Sequence, residues 1–220
     1  MRLSILFILI VSLCSAAANA EVKMNKDVLF IEGKLSNSDA DTVVETINTH
    51  SVSTIVFRNS AGGEWRAGMR IGHFIAGKNI TTIVEGICAS ACALGFLGGD
   101  KRQFSGAAPA SILFFHVPYS ARDQTTIDNL KFPLFHWIEE RTNRKLSQKF
   151  IDGISDVVSI RGGIFLFSPD DPIVKADGGL TQICKGNEAR IPLDCEKTEE
   201  ISALNMGIIN ADDALPFSKD

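Results

Sequence analysis

The stretch Gly86-Ile87-Cys88-Ala89-Ser90-Ala91-Cys92 decides how this chain is read. An apolar run from Ile80 to Val84 leads into it, and another, Ala93 to Leu97, leads away. That pattern predicts a strand, a sharp turn and a helix, with Ser90 at or near the first helical turn. Small residues on both sides of Ser90 leave room for a substrate backbone. Backbone N–H groups at a helix start can also hold a developing oxyanion. A serine between alanines is by itself as readily a packing residue as a nucleophile. Its company gives it weight: a Gly62-Gly63 turn upstream, and His116 at the end of an apolar strand downstream. A neutral imidazole is the usual base for a serine hydroxyl, because its pKa lies near working pH.

Upstream, Val28 to Ile31 reads as a buried strand that stops at Gly33. Asn37 or Ser38 then caps a helix that carries Ala40, Val43, Val44 and Ile47 on one face. Thr54 to Phe57 is the next strand. Strand, helix and strand in such quick succession imply a right-handed crossover and a parallel sheet. Asn59-Ser60-Ala61-Gly62-Gly63 falls at the C-terminal end of that strand, where ligands of such sheets gather. Glu64 to Ala76 is expected to be a helix stopped by Gly77, with Trp65 and His73 structural or interfacial rather than catalytic.

Downstream, Gly98 to Arg102 reads as a surface turn, and Ile112 to Phe115 as the strand that delivers His116 and then Pro118. Thr126 to Arg141 predicts a long amphipathic helix that Pro133 kinks or splits. A second helix runs from Lys145 to Ile151. Phe165 to Phe167 is a short strand, and Ser168-Pro169 opens a helix. Leu180 to Ile183 is a late strand. Glu200 to Ile209 is expected as a short helix on the surface, and Asp212 to Asp220 as a loose tail.

Residues 1–20 have the layout of a cleaved export signal: Arg2, an apolar core from Leu3 to Leu13, and Ala18-Asn19-Ala20 as the cleavage pattern. The mature chain would be one domain from residue 21 to 220, its core spanning about 28–183 with a C-terminal extension over 184–220, in the periplasm or secreted. Taking Arg2 from the 22 basic residues, against 26 acidic ones, moves the net charge from −4 to about −5. An acidic balance speaks against nucleic acid as partner. Four cysteines remain: Cys88, Cys92, Cys184 and Cys195. In an oxidising compartment they suggest two disulfides, with Cys184–Cys195 closing a polar loop and Cys88–Cys92 bracketing Ser90 one helical turn apart. Two reduced, buried thiols in the Cys88 and Cys92 positions are the alternative. If bonded, that pair would constrain the Ser90 turn, so its redox state could alter activity. The scattered histidines suggest no metal, and no pattern asks for a cofactor.

From about Val28 to Ile183 the chain resembles the proteolytic subunit of Clp protease, and more closely its exported bacterial Clp-like relatives, within the wider Clp/crotonase fold. The resemblance rests on Asn59 to Gly63, on Ala67-Gly68-Met69, and on Gly86 to Cys92 with Ser90 in the nucleophile's place. His116 followed by Pro118, Arg141 to Leu146 and Ser168-Pro169-Asp170-Asp171 to Gly179-Leu180 complete it. It implies an α/β fold of repeated ββα units, mainly a parallel sheet flanked by helices. It further implies a serine peptidase: Ser90 as nucleophile, His116 as base, and an oxyanion held by backbone N–H groups of Gly63 and Ala91. The Gly62-Gly63 edge would pair with an extended peptide. The family's aspartate falls on Ile164 when counted from Ser168 and near Asp156 when counted from Leu146. Asp156 is therefore the candidate third member, Asp152 a weaker one, and a Ser-His dyad a further option. A peptide or unfolded protein would be the substrate and a homo-oligomer a partner form, although the shortened, Pro133-broken handle departs from the family's stacked rings. Export away from ATP removes the reason for an ATPase partner.

A non-catalytic Clp-like peptide-binding or scaffold protein is the chief alternative. A crotonase-type acyl-CoA enzyme fits export poorly and has only Glu64 and Glu85 near the oxyanion loops. Lys101 as a Ser-Lys partner lies in a polar turn, and a C-x3-C pair is not the usual redox spacing.

Overall fold

The computed structural model describes residues 19–106, 111–120, 122–171, 174 and 179–211. Most of the expected export signal and the expected tail from Asp212 lie outside them, as does most of the helix expected after Ser168. At that helix's start, Asp171 N–H closes a turn on the Ser168 carbonyl.

The protein is a mixed α/β structure built on one nine-stranded sheet whose centre is parallel and whose flanks are antiparallel. Strand β1 (Glu21–Asn25) pairs antiparallel with β2 (Val28–Glu32). Helix α1 (Asn37–Thr49), β3 (Thr54–Ser60), α2 (Trp65–Ile75), β4 (Thr81–Ala89), α3 (Ala91–Phe96) and β5 (Lys101–Phe104) follow. Strands β2, β3 and β4 pair in parallel, as the crossover argument requires. Next come β6 (Ile112–Phe115), α4 (Lys131–Thr142), α5 (Gln148–Ser155), β7 (Gly163–Phe167), β8 (Thr181–Cys184) and β9 (Glu196–Thr198).

Local chemistry explains most boundaries. Helix α1 is capped by Ser36 rather than Asn37 or Ser38. Asp39 N–H donates to Ser36 Oγ at 3.3 Å, and Ser36 N–H donates to Asp39 Oδ2 at 2.8 Å, a reciprocal capping box. Pro133 does not break its helix. Since α4 starts at Lys131, Pro133 sits in the first turn, where an N–H has no intrahelical acceptor to lose.

Strand β4 organises the sheet. Its first half, Thr81 to Val84, pairs with β5, and its second half, Ile87 to Ala89, pairs with β6 on the same side. Between the halves Gly86 has φ +71°, and the register against β3 slips between Arg58 and Ser60. An irregularity of this kind bends a strand and re-aims the side chains beyond it. The strand therefore continues through Gly86 to Ala89, where the sequence suggested a turn, and the turn is concentrated at Ser90.

The main core lies between the sheet and its helices and includes Leu29, Phe57, Ile71, Cys88, Leu94, Trp137 and Ile164. The segment after Ile183 belongs to the same body. β9 extends the sheet, and Ile201, Met206, Ile208 and Ile209 are buried in the main core as turns, not as a surface helix. Arg102 explains part of this. It is buried, and its guanidinium donates to the carbonyls of Gly99, Gly207 and Ile208 at 2.7–2.9 Å. Burial, with the Arg141 charge nearby, pulls its pKa down to about 10. Gly98 and Gly99, read as a surface turn, are thus gripped from two sides, because Arg141 also donates to both carbonyls and to Asp100. Among the described residues no helix is long and apolar enough to cross a membrane.

Candidate active site

Ser90 directly follows β4 and caps α3, and its backbone holds φ 55° and ψ −123°. A residue with a Cβ rarely adopts this conformation, at a cost of roughly 1–3 kcal/mol, and such residues cluster at functional sites. The surroundings enforce it. Ser90 N–H donates to the Phe114 carbonyl of β6 at 2.9 Å, and Leu94 N–H returns to the Ser90 carbonyl at 3.3 Å. Cys88 and Cys92 are joined as a disulfide around it, with Cα atoms 5.3 Å apart. Cys184 and Cys195 form the second bond.

The Gly62-Gly63 turn lies directly against Ser90. A Cβ added to Gly62, at φ +95°, would stand 2.6 Å from Ser90 Cβ and 2.7 Å from the Ala89 carbonyl oxygen. One added to Gly63 would stand 2.0 Å from the Leu35 carbonyl oxygen. The turn is pinned on its far side by Leu35 N–H to Gly62 O at 2.8 Å and Glu64 N–H to Leu35 O at 2.9 Å. Those bonds leave the N–H groups of Gly63 and Ala91 without acceptors among the described residues. Both belong to segments that meet at Ser90.

His116 follows β6 and is buried. Its Nδ1 lies 2.7 Å from the Val117 carbonyl oxygen. A carbonyl only accepts, so Nδ1 carries the proton and Nε2 of the neutral ring keeps its lone pair. Burial lowers the His116 pKa from the ordinary 6.5, and the Val117 hydrogen bond opposes this only in part. The Phe114 ring stacks beside the imidazole at 5.3 Å and Tyr119 lies at 5.4 Å. Ser90 and His116 line one small cavity of about 10 Å³ together with Trp65, Leu94, Phe115, Pro118 and Leu134. No hydrogen bond joins the two side chains among the described residues, and apo catalytic contacts are often long.

Among the described residues no hydrogen bond joins His116 to Asp156, the third member that the resemblance suggested. Asp156 is the exposed residue capping the C-terminus of α5, where its N–H donates to the Asp152 carbonyl. Asp152 is exposed as well and accepts from Gln148 Nε2. The Nδ1 position that a triad aspartate would occupy is already held by Val117. Ile164, the other count, is a buried core residue of β7. Sequence spacing could not show that a backbone carbonyl orients the ring.

Cys88 and Cys92 are fully buried, so the bond that brackets Ser90 lies within the core. Trp137 of α4 is buried behind the cavity and anchored to α3. Its indole N–H donates to the Leu94 carbonyl at 3.1 Å, and His73 packs on its ring at 4.1 Å. Among the described residues no group of three or more His, Cys, Asp or Glu could hold a metal ion.

No family model matches the sequence, and no curated protein matches it. Several solved structures do. The chain is similar to a point mutant of ClpP1 from Listeria monocytogenes, with 22% identity over 58% of this chain and 77% of that one, at a TM-score of 0.46. It is similar to ClpP1 from the same organism, with 19% identity over 61% and 84% of the two chains, at 0.47. A point mutant of the 1510-N membrane-bound stomatin-specific protease matches at 16% identity over 52% and 60%, at 0.40.

The neutral imidazole sets the expected pH response. Loss of the Nε2 lone pair requires protonation, and burial holds the His116 pKa below 6.5. Activity that depends on His116 should therefore persist through pH 6.5 and fall only as pH drops through the lowered value. Over the same window the unfolded chain binds the proton that the native ring refuses, so stability also declines as pH falls below about 6.5. A pH–rate profile of serine labelling checks the first part. An acid limb already half complete above pH 6.5 would contradict it.

Proposed function

We propose that the mature chain is an exported serine peptidase that works without ATP. Ser90 Oγ attacks the scissile carbonyl while His116 Nε2 takes its proton. The N–H groups of Gly63 and Ala91 receive the oxyanion, and the Gly62 turn lets the substrate backbone approach. His116 then returns the proton to the departing amine, the C–N bond breaks, and water releases the acyl group by the same path. The observation that carries this reading is the strained Ser90 sharing one small cavity with a buried, tautomer-fixed imidazole. The Val117 carbonyl does the orienting that an aspartate does in a triad, making the pair a dyad.

Peptides and unfolded polypeptides are the proposed substrates, with no cofactor, no ATPase and no nucleic acid as partner. Assembly into a homo-oligomer belongs to the same reading. Export is supported by the two disulfides, which fit an oxidising compartment. The expected cut after Ala20 would leave β1 whole, beginning at Glu21. An intact mass starting at Glu21 for the exported product is the expected result, and retention of Arg2 would refute cleavage.

A peptide-binding module without turnover is the second reading, favoured by the Val117 carbonyl standing at His116 Nδ1 where a triad has a carboxylate. A fluorophosphonate probe separates the two. Labelling of the mature protein that is lost in Ser90→Ala and His116→Ala supports the peptidase. No labelling, with unfolded protein still captured, supports the binder.

A further inference from the structure

The cavity at Ser90 is far smaller than an ordinary ligand pocket. Its volume of about 10 Å³ is room for one water-sized group, against several hundred Å³ for typical small-molecule sites. Apart from Ser90 and His116 its walls are apolar. Leu94, Phe115 and Leu134 are core side chains, each at most 2% exposed, Pro118 is buried as well, and none of the four can swing away. Trp65 differs. It is half-buried, and it is the first residue of α2, directly after the loop that carries Gly62 and Gly63. On its far side lies an open groove of about 520 Å³ bordered by Asn37, Ile127 and Leu130. Trp65 lines both spaces and stands between them.

We infer that Trp65 is a specificity-determining residue, and that it restricts the site to acyl groups with a hydrogen or a methyl as side chain. The inference rests on the peptidase reading. A carbonyl held between Ser90 Oγ and the Gly63 and Ala91 N–H groups brings its own α-substituent against the cavity walls. A methyl fills the available space. A leucine or phenylalanine side chain would have to displace Trp65. The substrates are therefore polypeptides cut after glycine or alanine, and removal of the indole joins the cavity to the groove and admits large apolar side chains.

The test uses two peptidyl phosphonate esters that differ only in the residue at phosphorus, an alanine or a leucine analogue. Second-order inactivation rates are measured for the mature protein, for Trp65→Phe and for Trp65→Ala. The readout is the alanine-to-leucine rate ratio within each protein, which cancels differences in the amount of folded enzyme. The expected ratio is tenfold or more in favour of alanine for the unaltered chain, inverted in Trp65→Ala and intermediate in Trp65→Phe; methylene-scale discrimination of this kind spans roughly 10- to 200-fold. A ratio near one, a preference for leucine, or a ratio unmoved by Trp65→Ala overturns the inference and leaves the peptidase standing. Failure of both esters and of a plain fluorophosphonate to label Ser90 overturns the two together.

Discussion

Ser90→Ala should lower peptide hydrolysis by about 10⁴-fold or more, the scale on which loss of a serine nucleophile is felt in enzymes that act through a serine and its base. His116→Ala should fall to a similar level, and the double variant no further, because the two act as one unit. Stability separates this from general damage. The Ser90 hydroxyl makes no hydrogen bond among the described residues, and alanine at φ 55° is as strained as serine, so Ser90→Ala should melt where the parent melts. Ser90→Gly should be equally inactive yet more stable by about 1 kcal/mol, some 2–4 °C for a chain of this size, since glycine alone adopts that backbone at little cost. Kinetics on a fluorogenic peptide and thermal melts of the three variants provide the check. Hydrolysis that survives Ser90→Ala at the parental rate would remove Ser90 from the mechanism.

Gly68→Ala should destabilise the protein by about 3 kcal/mol, lowering the melting temperature by roughly 6–12 °C. The sign is the opposite of what helix propensity gives, because alanine in a helix interior is normally favoured over glycine by about 1 kcal/mol. Here α2 crosses the start of α3 so closely that a Cβ on Gly68 would stand 2.1 Å from the Ala91 carbonyl oxygen. The obstacle is backbone, which cannot rotate aside. Relief comes only by pushing α2 away from α3, and that shifts Ala91 and the Ser90 turn, so labelling of Ser90 should weaken as well. Gly77→Ala is the control: its Cβ would meet nothing within 4 Å, and only its φ of +74° opposes the change. Equal melting temperatures for the Gly68 variant and the parent would contradict the contact.

Much of this architecture was legible because its causes are local. The apolar spacing in α1, the four-residue run at Val28 and the strand delivering His116 are short-range patterns, and each is where it was expected. What escaped depends on partners far along the chain. Arg102 reads as surface because it is charged, and two of the three carbonyls that make its burial affordable, those of Gly207 and Ile208, lie more than 100 residues away. β4 seemed to end at Val84 because nothing near Gly86 reveals that a different strand takes over the pairing there. Pro133 looked like a break because α4 begins without a side-chain cap to mark its start. At the site, Ser90 and His116 stand out by residue type and context. The ring's orienting partner is a main-chain carbonyl and has no sequence signature at all.

The two margins of the sheet show how the chain meets its neighbours. β1 carries Glu21 and Lys23, paired with each other at 2.6 Å, and β9 is three residues long with Glu196 and Lys197 exposed. Short, charged border strands discourage a second chain from adding its own strand. Among unfolded polypeptides, open borders would seed co-aggregation. With β1 and β9 blunted in this way, the fold can meet sticky material at these borders without joining it.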